Sequence, residues 1–495
     1  MRKVVTLPSP NGGWNTVASI ADLKPLSNDP DQLRSNQAVI LDNFIPGVSS
    51  VTSRNGYTLF ATGVGTGNVD AMFELEAASV SKLIAAGGGA IYDITAGGAG
   101  VSLASGFANN QWIGTVFNGQ LGLVNGVDTP QVYDGATVGA MTVSGVTVTS
   151  IKFIFTFKHR TYFILNNSQS FWYSALNTLG GALTEFPLGQ VGNFGGNLEA
   201  IATLTRDGGD GQDDAICFFM TTGEIIVYQG TDPATNFVLT GIFKAGRPLN
   251  SRAIIKFGPD VFFVDNQGYH LMSDLLPLSF GKTNSGVNKY IKGAASLQAK
   301  VFPDPFGWQA ILSPGDNFLL VNIPQSSTYI QHVMNVNTLA WCSFSGINSR
   351  YWCLFGGSLY FGDTSGNVFV YGTVFTDNGT SVTSTYQSGY IKFSESVVRT
   401  AGFRPNIQFD SNLTLGIQSS VDFKPFSTQY TKTYGSSGAF WGDPWGSPWS
   451  TFNAAFNYLN LSKVGYSVSM LLEFTSPTQV RFYETNYLVE SGERI

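Results

Sequence analysis

One motif recurs between Lys82 and Tyr371: a short apolar strand, a turn of Gly, Asn or Asp, and a second apolar strand that closes on or beside an aromatic residue. Copies join 83–84 to 91–93, 121–124 to 132–134, 162–165 to 171–173, 216–220 to 226–228, 261–264 to 269–270 and 359–361 to 369–371, with a weaker copy joining 318–321 to 332–334. The marks Tyr92, Tyr133, Tyr173, Tyr228, Tyr269, Met334 and Tyr371 are 41, 40, 55, 41, 65 and 37 residues apart. Most of these intervals are close to the roughly 40–50 residues of a four-stranded propeller blade. A single blade cannot bury both of its faces, whereas blades packed radially share one core and leave only short edges. An antiparallel meander also places apolar pairs across Gly turns; the regular interval favours a β-propeller of six or seven blades.

Composition agrees with an all-β chain. Its 57 Gly, 38 Phe and 20 Tyr supply turns and strands, and only 12% of residues are charged, which leaves little material for surface helices. Cys217, Cys342 and Cys353 sit in apolar or aromatic runs without metal-ligand spacing, so buried thiols in a reducing compartment are expected. The net charge of −6, with no Lys/Arg cluster longer than a pair, argues against a dedicated nucleic-acid grip. The apolar residues after Lys3 are cut off by Pro8 and Pro10, and the aromatic run 151–165 is broken by Lys158, His159 and Arg160. Neither has the length of a signal or membrane segment.

The pattern divides the chain in three. Residues 1–60 are punctuated by Pro, Asn and Asp and read as an N-terminal arm that delivers one or two strands; 61–380 carry the repeats. Residues 381–495 change to longer alternating strands at 388–393, 412–418, 468–474 and 481–489. Strict period-two alternation suits a C-terminal β-sandwich-like domain with half-buried sheets.

Residues able to do chemistry are few. His159, His270 and His332 are the only histidines and are not spaced for a metal. No Gly-x-Ser-x-Gly elbow occurs, and Gly281-Lys282-Thr283 lacks the Gly-rich cradle of a phosphate loop, with Leu276 and Pro277 before it. No catalytic residue and no cofactor is assigned. Asp207, Asp210, Asp213 and Asp214 gather among glycines, a pattern that can hold calcium. They lack the ordered spacing of a calcium loop, so a solvated inter-strand loop is the reading and an ion site the weaker candidate. Trp441, Trp445 and Trp449 recur at spacing four with Pro444 and Pro448 between them. Interior prolines exclude a helix. The segment reads as a stiff aromatic loop, either an interaction site or a cap on its own domain.

The segments 223–233, 241–253 and 265–269, with Gly223, Gly230, Gly246, Asn250, Arg252, Asp265 and Gly268, resemble the central stretch of the tail nozzle proteins of short-tailed bacteriophages, also termed tail hub or packaged-DNA stabilisation proteins. Residues 41–46 with Arg54, Gly56 and Tyr57 resemble that family's opening, and 487–492 its closing strand. The resemblance implies a homo-hexameric ring in the virion tail, made in the bacterial host cytoplasm. It implies docking below the portal on the head-to-tail adaptor protein, contact with a distal tail needle, fibre or spike protein, and passage of double-stranded DNA without sequence-specific binding. The missing metal, nucleophile-elbow and phosphate-loop patterns lead to the expectation of no enzymatic activity, and the lack of a long apolar run to that of no membrane insertion. The alternative from another class is a carbohydrate-binding or carbohydrate-cleaving propeller on a tail or cell surface, for which aromatic loops would serve as sugar platforms.

Overall fold

The computed structural model describes residues 2–24, 32–78, 80–207, 212–275, 287–302, 306–394, 396–435, 453–454 and 458–491. The chain is all-β and β-propeller-like. Small antiparallel sheets follow one another along it. The first comprises Val69–Ala77, Val80–Gly87, Ala90–Asp93 and Val101–Ser105; the second Ile113–Phe117, Gln120–Val124, Gln131–Tyr133 and Val138–Ala140. The third runs Ile151–Phe157, Arg160–Leu165, Phe171–Tyr173 and Thr184–Phe186, and the fourth Leu198–Asp207, Gln212–Met220, Glu224–Gln229 and Val238–Lys244. A fifth has three strands, Ile254–Phe257, Asp260–Asp265 and Gly268–Leu271. The helix Lys292–Val301 packs beside the last of these and buries Ala295 and Ala299, one turn apart on a single face.

The sixth sheet is Gln309–Ser313, Phe318–Pro324, Tyr329–Asn335 and Trp341–Phe344. The seventh is Tyr351–Phe355, Ser358–Gly362 and Val368–Tyr371, completed by Tyr57–Thr62 from the N-terminal arm, whose Tyr57 lies opposite Tyr371. The sequence repeat marks the second and third strands of every one of these sheets. First strands pack on first strands in chain order, and Tyr351–Phe355 packs back on Val69–Ala77, so the series closes on itself.

The N-terminal arm and the C-terminal strands fold together. Val480–Ser491 pairs along its length with Val398–Phe409. Its other edge takes Arg2–Pro8 and Val51–Ser53, the latter extended by Phe44–Pro46. A second sheet centres on Ser467–Ser476, flanked by Leu413–Val421 and Thr380–Gln387, with Ile40–Asp42 beyond. One core joins the two: Phe403, Ile407 and Phe482 from the first sheet pack with Leu415, Leu472 and Phe474 from the second and with Phe44 of the arm. The arm thus supplies strands to both C-terminal sheets and to the seventh sheet. Between Ser53 and Tyr57 it leaves one for the other, and Gly56 permits the passage, since a Cβ there would lie 2.1 Å from the Thr376 carbonyl oxygen.

Cys217, Cys342 and Cys353 are buried, each in a different sheet. Among the described residues no helix is long and apolar enough to cross a membrane.

Candidate functional site: the central cavity and its arginine closure

Where the first strands converge, a cavity of about 430 Å³ remains. Its walls are mostly apolar, with Phe73, Phe153, Phe155, Ile113, Ile254 and Ile311 among them, and its polar side chains are largely committed to the protein. Gln309 donates to the Trp352 carbonyl (2.7 Å) and accepts from the Trp352 amide (2.8 Å), Thr115 shares a hydrogen bond with Thr156, and Glu74 accepts from the Gly356 amide at 2.9 Å.

Arg252 differs. Asn250 caps the single turn Ser251–Ala253, accepting from the Arg252 amide and donating to the Trp308 carbonyl at 3.1 Å each. That turn, just before the fifth sheet, sends the arginine across to the first and second. Nη1 donates to the Asp70 carbonyl and Nη2 to the Trp112 carbonyl, both at 3.0 Å. The Phe306 and Tyr351 rings lie 4.4 and 4.7 Å from its guanidinium carbon, within cation–π range. Arg350 reaches the same place from the seventh sheet. Its Nε donates to Asp70 Oδ1 (2.8 Å), its Nη1 to the Tyr329 hydroxyl (2.5 Å), and its guanidinium lies 4.4 Å from the Phe306 ring. Two cations therefore share one aromatic ring and meet at Asp70, Arg252 at its backbone carbonyl and Arg350 at its carboxylate.

The two arginines are tuned in opposite directions. Burial lowers the Arg252 pKa, with no carboxylate hydrogen bond to offset it. Burial works against Arg350 too, but its hydrogen bonds to Tyr329 and Asp70 outweigh it and raise the value. Burial also pushes Tyr351 up to about 12, so it stays a phenol.

A second buried constellation locks the junction between the sheets and the C-terminal strands. Arg54 is 1% exposed and donates to both oxygens of Asp377 (2.8 and 2.7 Å), to Asn43 Oδ1 (2.7 Å) and to the Asn55 and Ser345 carbonyls. Next to it Asp42 accepts from the hydroxyls of Ser343 and Ser345. Burial raises the Asp42 pKa in spite of these bonds and of Arg54. A buried guanidinium needs most of its five donors engaged, and Arg54 has them engaged.

The three histidines separate in the fold. His159 sits in a left-handed turn between two strands of the third sheet, and His270 pairs with Asp265 at 3.0 Å. His332 is wholly buried, its Nδ1 2.7 Å from the Tyr269 hydroxyl. Asp265 also organises its surroundings, accepting from the amides of Gly246, Gln267 and Gly268. A Cβ on Gly246 would fall 2.5 Å from Asp265 Oδ2.

Of the acidic group, Asp214 accepts from the Thr205 hydroxyl at 2.8 Å; Asp210 and the side chains of Asp207 and Asp213 lie outside the described residues. So do Trp441, Trp445 and Trp449, and Gly281-Lys282-Thr283. Among the described residues no three His, Cys, Asp or Glu side chains are grouped to hold a metal. Sequence reasoning did not single out Arg350, and it met Arg252 only as part of a longer segment.

No family model matches the chain, and no curated protein matches it. Solved structures with some likeness include BBS1N in complex with ARL6DN (TM-score 0.41, 12% identity, covering 64% of this chain and 97% of that one). Others are the computationally designed Ika8 protein (0.36, 10%, 72% and 99%) and YCF48 bound to D1 peptide (0.35, 8%, 66% and 97%). None of the three is described as a phage protein.

Proposed function

We propose that this chain is a structural component of a short bacteriophage tail, a nozzle or hub. Six copies form a ring that docks below the portal and head-to-tail adaptor, retains packaged DNA and conducts it during ejection. In this reading the successive sheets are seven propeller blades, the last closed by Tyr57–Thr62, and the two C-terminal sheets form a sandwich. The supporting observation is where the nozzle-like motif residues fall. Arg54 and Gly56 sit at the junction of arm, sheets and C-terminal strands. Gly246, Asp265 and Gly268 interlock at one turn, and Arg252 ties the fifth sheet to the first and second. The residues that carry the resemblance are thus those that hold the fold, as expected if the shared feature is a scaffold and not a reaction.

In this reading the chain performs no catalysis. Glu74 is the only carboxylate among the described residues lining the central cavity, and glycoside hydrolysis ordinarily needs a pair. Six copies at −6 carry a formal −36 (6 × −6). Acids facing the ring lumen repel phosphates over a Debye length of about 8 Å at physiological salt, which keeps DNA mobile. Trp441, Trp445 and Trp449 are assigned to contact with a neighbouring subunit or the distal tail protein.

A closed ring of identical subunits requires a heterologous interface that closes after the sixth copy. Electron microscopy of the native particle, with mass measurement of the purified protein, tests this. The expected result is a six-fold ring at the tail; a protein that is monomeric or dimeric in both settings overturns the proposal.

A further inference from the structure

We infer that the central cavity is a binding site for a small organic carboxylate with an apolar body, its carboxylate held by Arg252. A volume of about 430 Å³ is of small-molecule size. The apolar walls suit a ring or branched chain, and Arg252 supplies the charge. A guanidinium has five N–H donors, and two of Arg252's are given to the backbone carbonyls of Asp70 and Trp112. The carboxylate of Asp70 is held by Arg350 instead. Among the described residues no carboxylate comes within ion-pair distance of Arg252. Arg252, Arg350 and Asp70 together leave one positive charge at this end of the cavity. Glu74, four residues along the same strand from Asp70, lies roughly 13 Å away at about 3.3 Å per residue. An anion can therefore meet the cation without meeting the acid.

Burial lowers the Arg252 pKa, outweighing the attraction of Tyr351 and Asp70, and Arg350 lowers it further, while its hydrogen bonds go to neutral carbonyls and its contacts to ring faces. Such a cation gains most from an incoming anion, because bonds between ionised partners are the stronger class. Phosphate satisfies the charge but not the walls, which makes an aromatic or branched acid the better fit. The site is independent of assembly into a ring.

The test is calorimetric titration of the full-length protein with benzoate, with benzamide as the uncharged isostere and inorganic phosphate as the anion without a body. Benzoate should bind saturably, and benzamide roughly 10- to 100-fold more weakly, the range for hydrogen bonds to a charged group. Arg252→Gln should lose benzoate by a similar factor. Because Arg252 also ties sheets together, Ile311→Trp provides a second variant that fills the cavity and leaves the arginine in place; it too should lose benzoate. Failure of the wild type to bind benzoate, equal binding of benzamide, or unaltered binding by Ile311→Trp would each overturn the assignment. Phosphate binding equal to benzoate would overturn the part played by the apolar walls.

Discussion

His332 should make this protein lose stability on mild acidification. The ring is buried in Tyr329–Asn335, with Nδ1 against the Tyr269 hydroxyl at 2.7 Å and Trp14 edge-on at 5.3 Å. Burial raises the Tyr269 pKa well above its ordinary value, so the phenol keeps its proton and donates it to Nδ1. The imidazole proton is then on Nε2, which has no hydrogen-bond partner among the described residues. With no group placed to stabilise an imidazolium, burial pulls the His332 pKa down from 6.5 to about 3. Between those two values the unfolded chain binds a proton that the folded one refuses. Stability present above pH 6.5 is therefore lost as pH falls towards 3. From pH 7 to pH 5 the loss from this one group is roughly 2 kcal/mol.

His332→Asn isolates the effect. The Asn oxygen retains an acceptor near the place of Nδ1, while lost ring packing costs about 1–3 kcal/mol at every pH. Urea unfolding followed by tryptophan fluorescence at pH 7 and pH 5 should show the wild type losing roughly 2 kcal/mol more than the variant. Other shifted groups are common to both proteins and cancel. Burial raises Asp42, which contributes with the opposite sign, its stability being lost as pH rises. Asp93 is lowered because its hydrogen bonds to Lys82 and Thr95 outweigh burial, and its contribution is lost only below the ordinary Asp range. Identical pH dependence in wild type and variant would refute the reasoning.

Arg54→Ala strands Asp377 and removes the donors that Asn43 and the Ser345 carbonyl use; breaking such a buried pair costs about 3–5 kcal/mol, and a urea-derived loss below about 1 kcal/mol would contradict the junction described above. Trp445→Ala should leave the melting temperature of the isolated subunit nearly unchanged while weakening ring formation or attachment of the distal tail protein. A drop of many degrees with normal assembly of the folded fraction would assign Trp445 to internal packing instead.

Burial accounts for what the sequence revealed. The repeat marks the second and third strands because these are the ones buried on both faces: all of Phe318–Pro324 is buried, as is nearly all of Gln120–Val124 and Glu224–Gln229. Such strands read as unbroken apolar runs. The fourth strands of the first four sheets, Val101–Ser105, Val138–Ala140, Thr184–Phe186 and Val238–Lys244, are exposed or half-buried, so nothing in their composition separates them from loops. First strands mix apolar residues with Asp70, Glu74, Thr115, Lys152 and Glu199, which weakens the same signal. The arm was harder still. Its strands of three residues pair across the whole chain, Val51 with Phe482 and Asp42 with Thr385, and no local pattern encodes such a partner.

The sites obey the same logic. Arg54 reads as an arginine in want of a carboxylate, and Asp377, 323 residues later, is found only by folding. Arg252 leaves less trace. Its acceptors are the main-chain carbonyls of Asp70 and Trp112, and a carbonyl is the same at every position of a sequence. The side chains around it, Phe306 and Tyr351, look like ordinary core aromatics until a ring is placed against the guanidinium. A cation held by backbone oxygen and aromatic faces satisfies the need for partners without spending a carboxylate on it. Its charge is left for an anion from outside, and no residue pattern along the chain announces that.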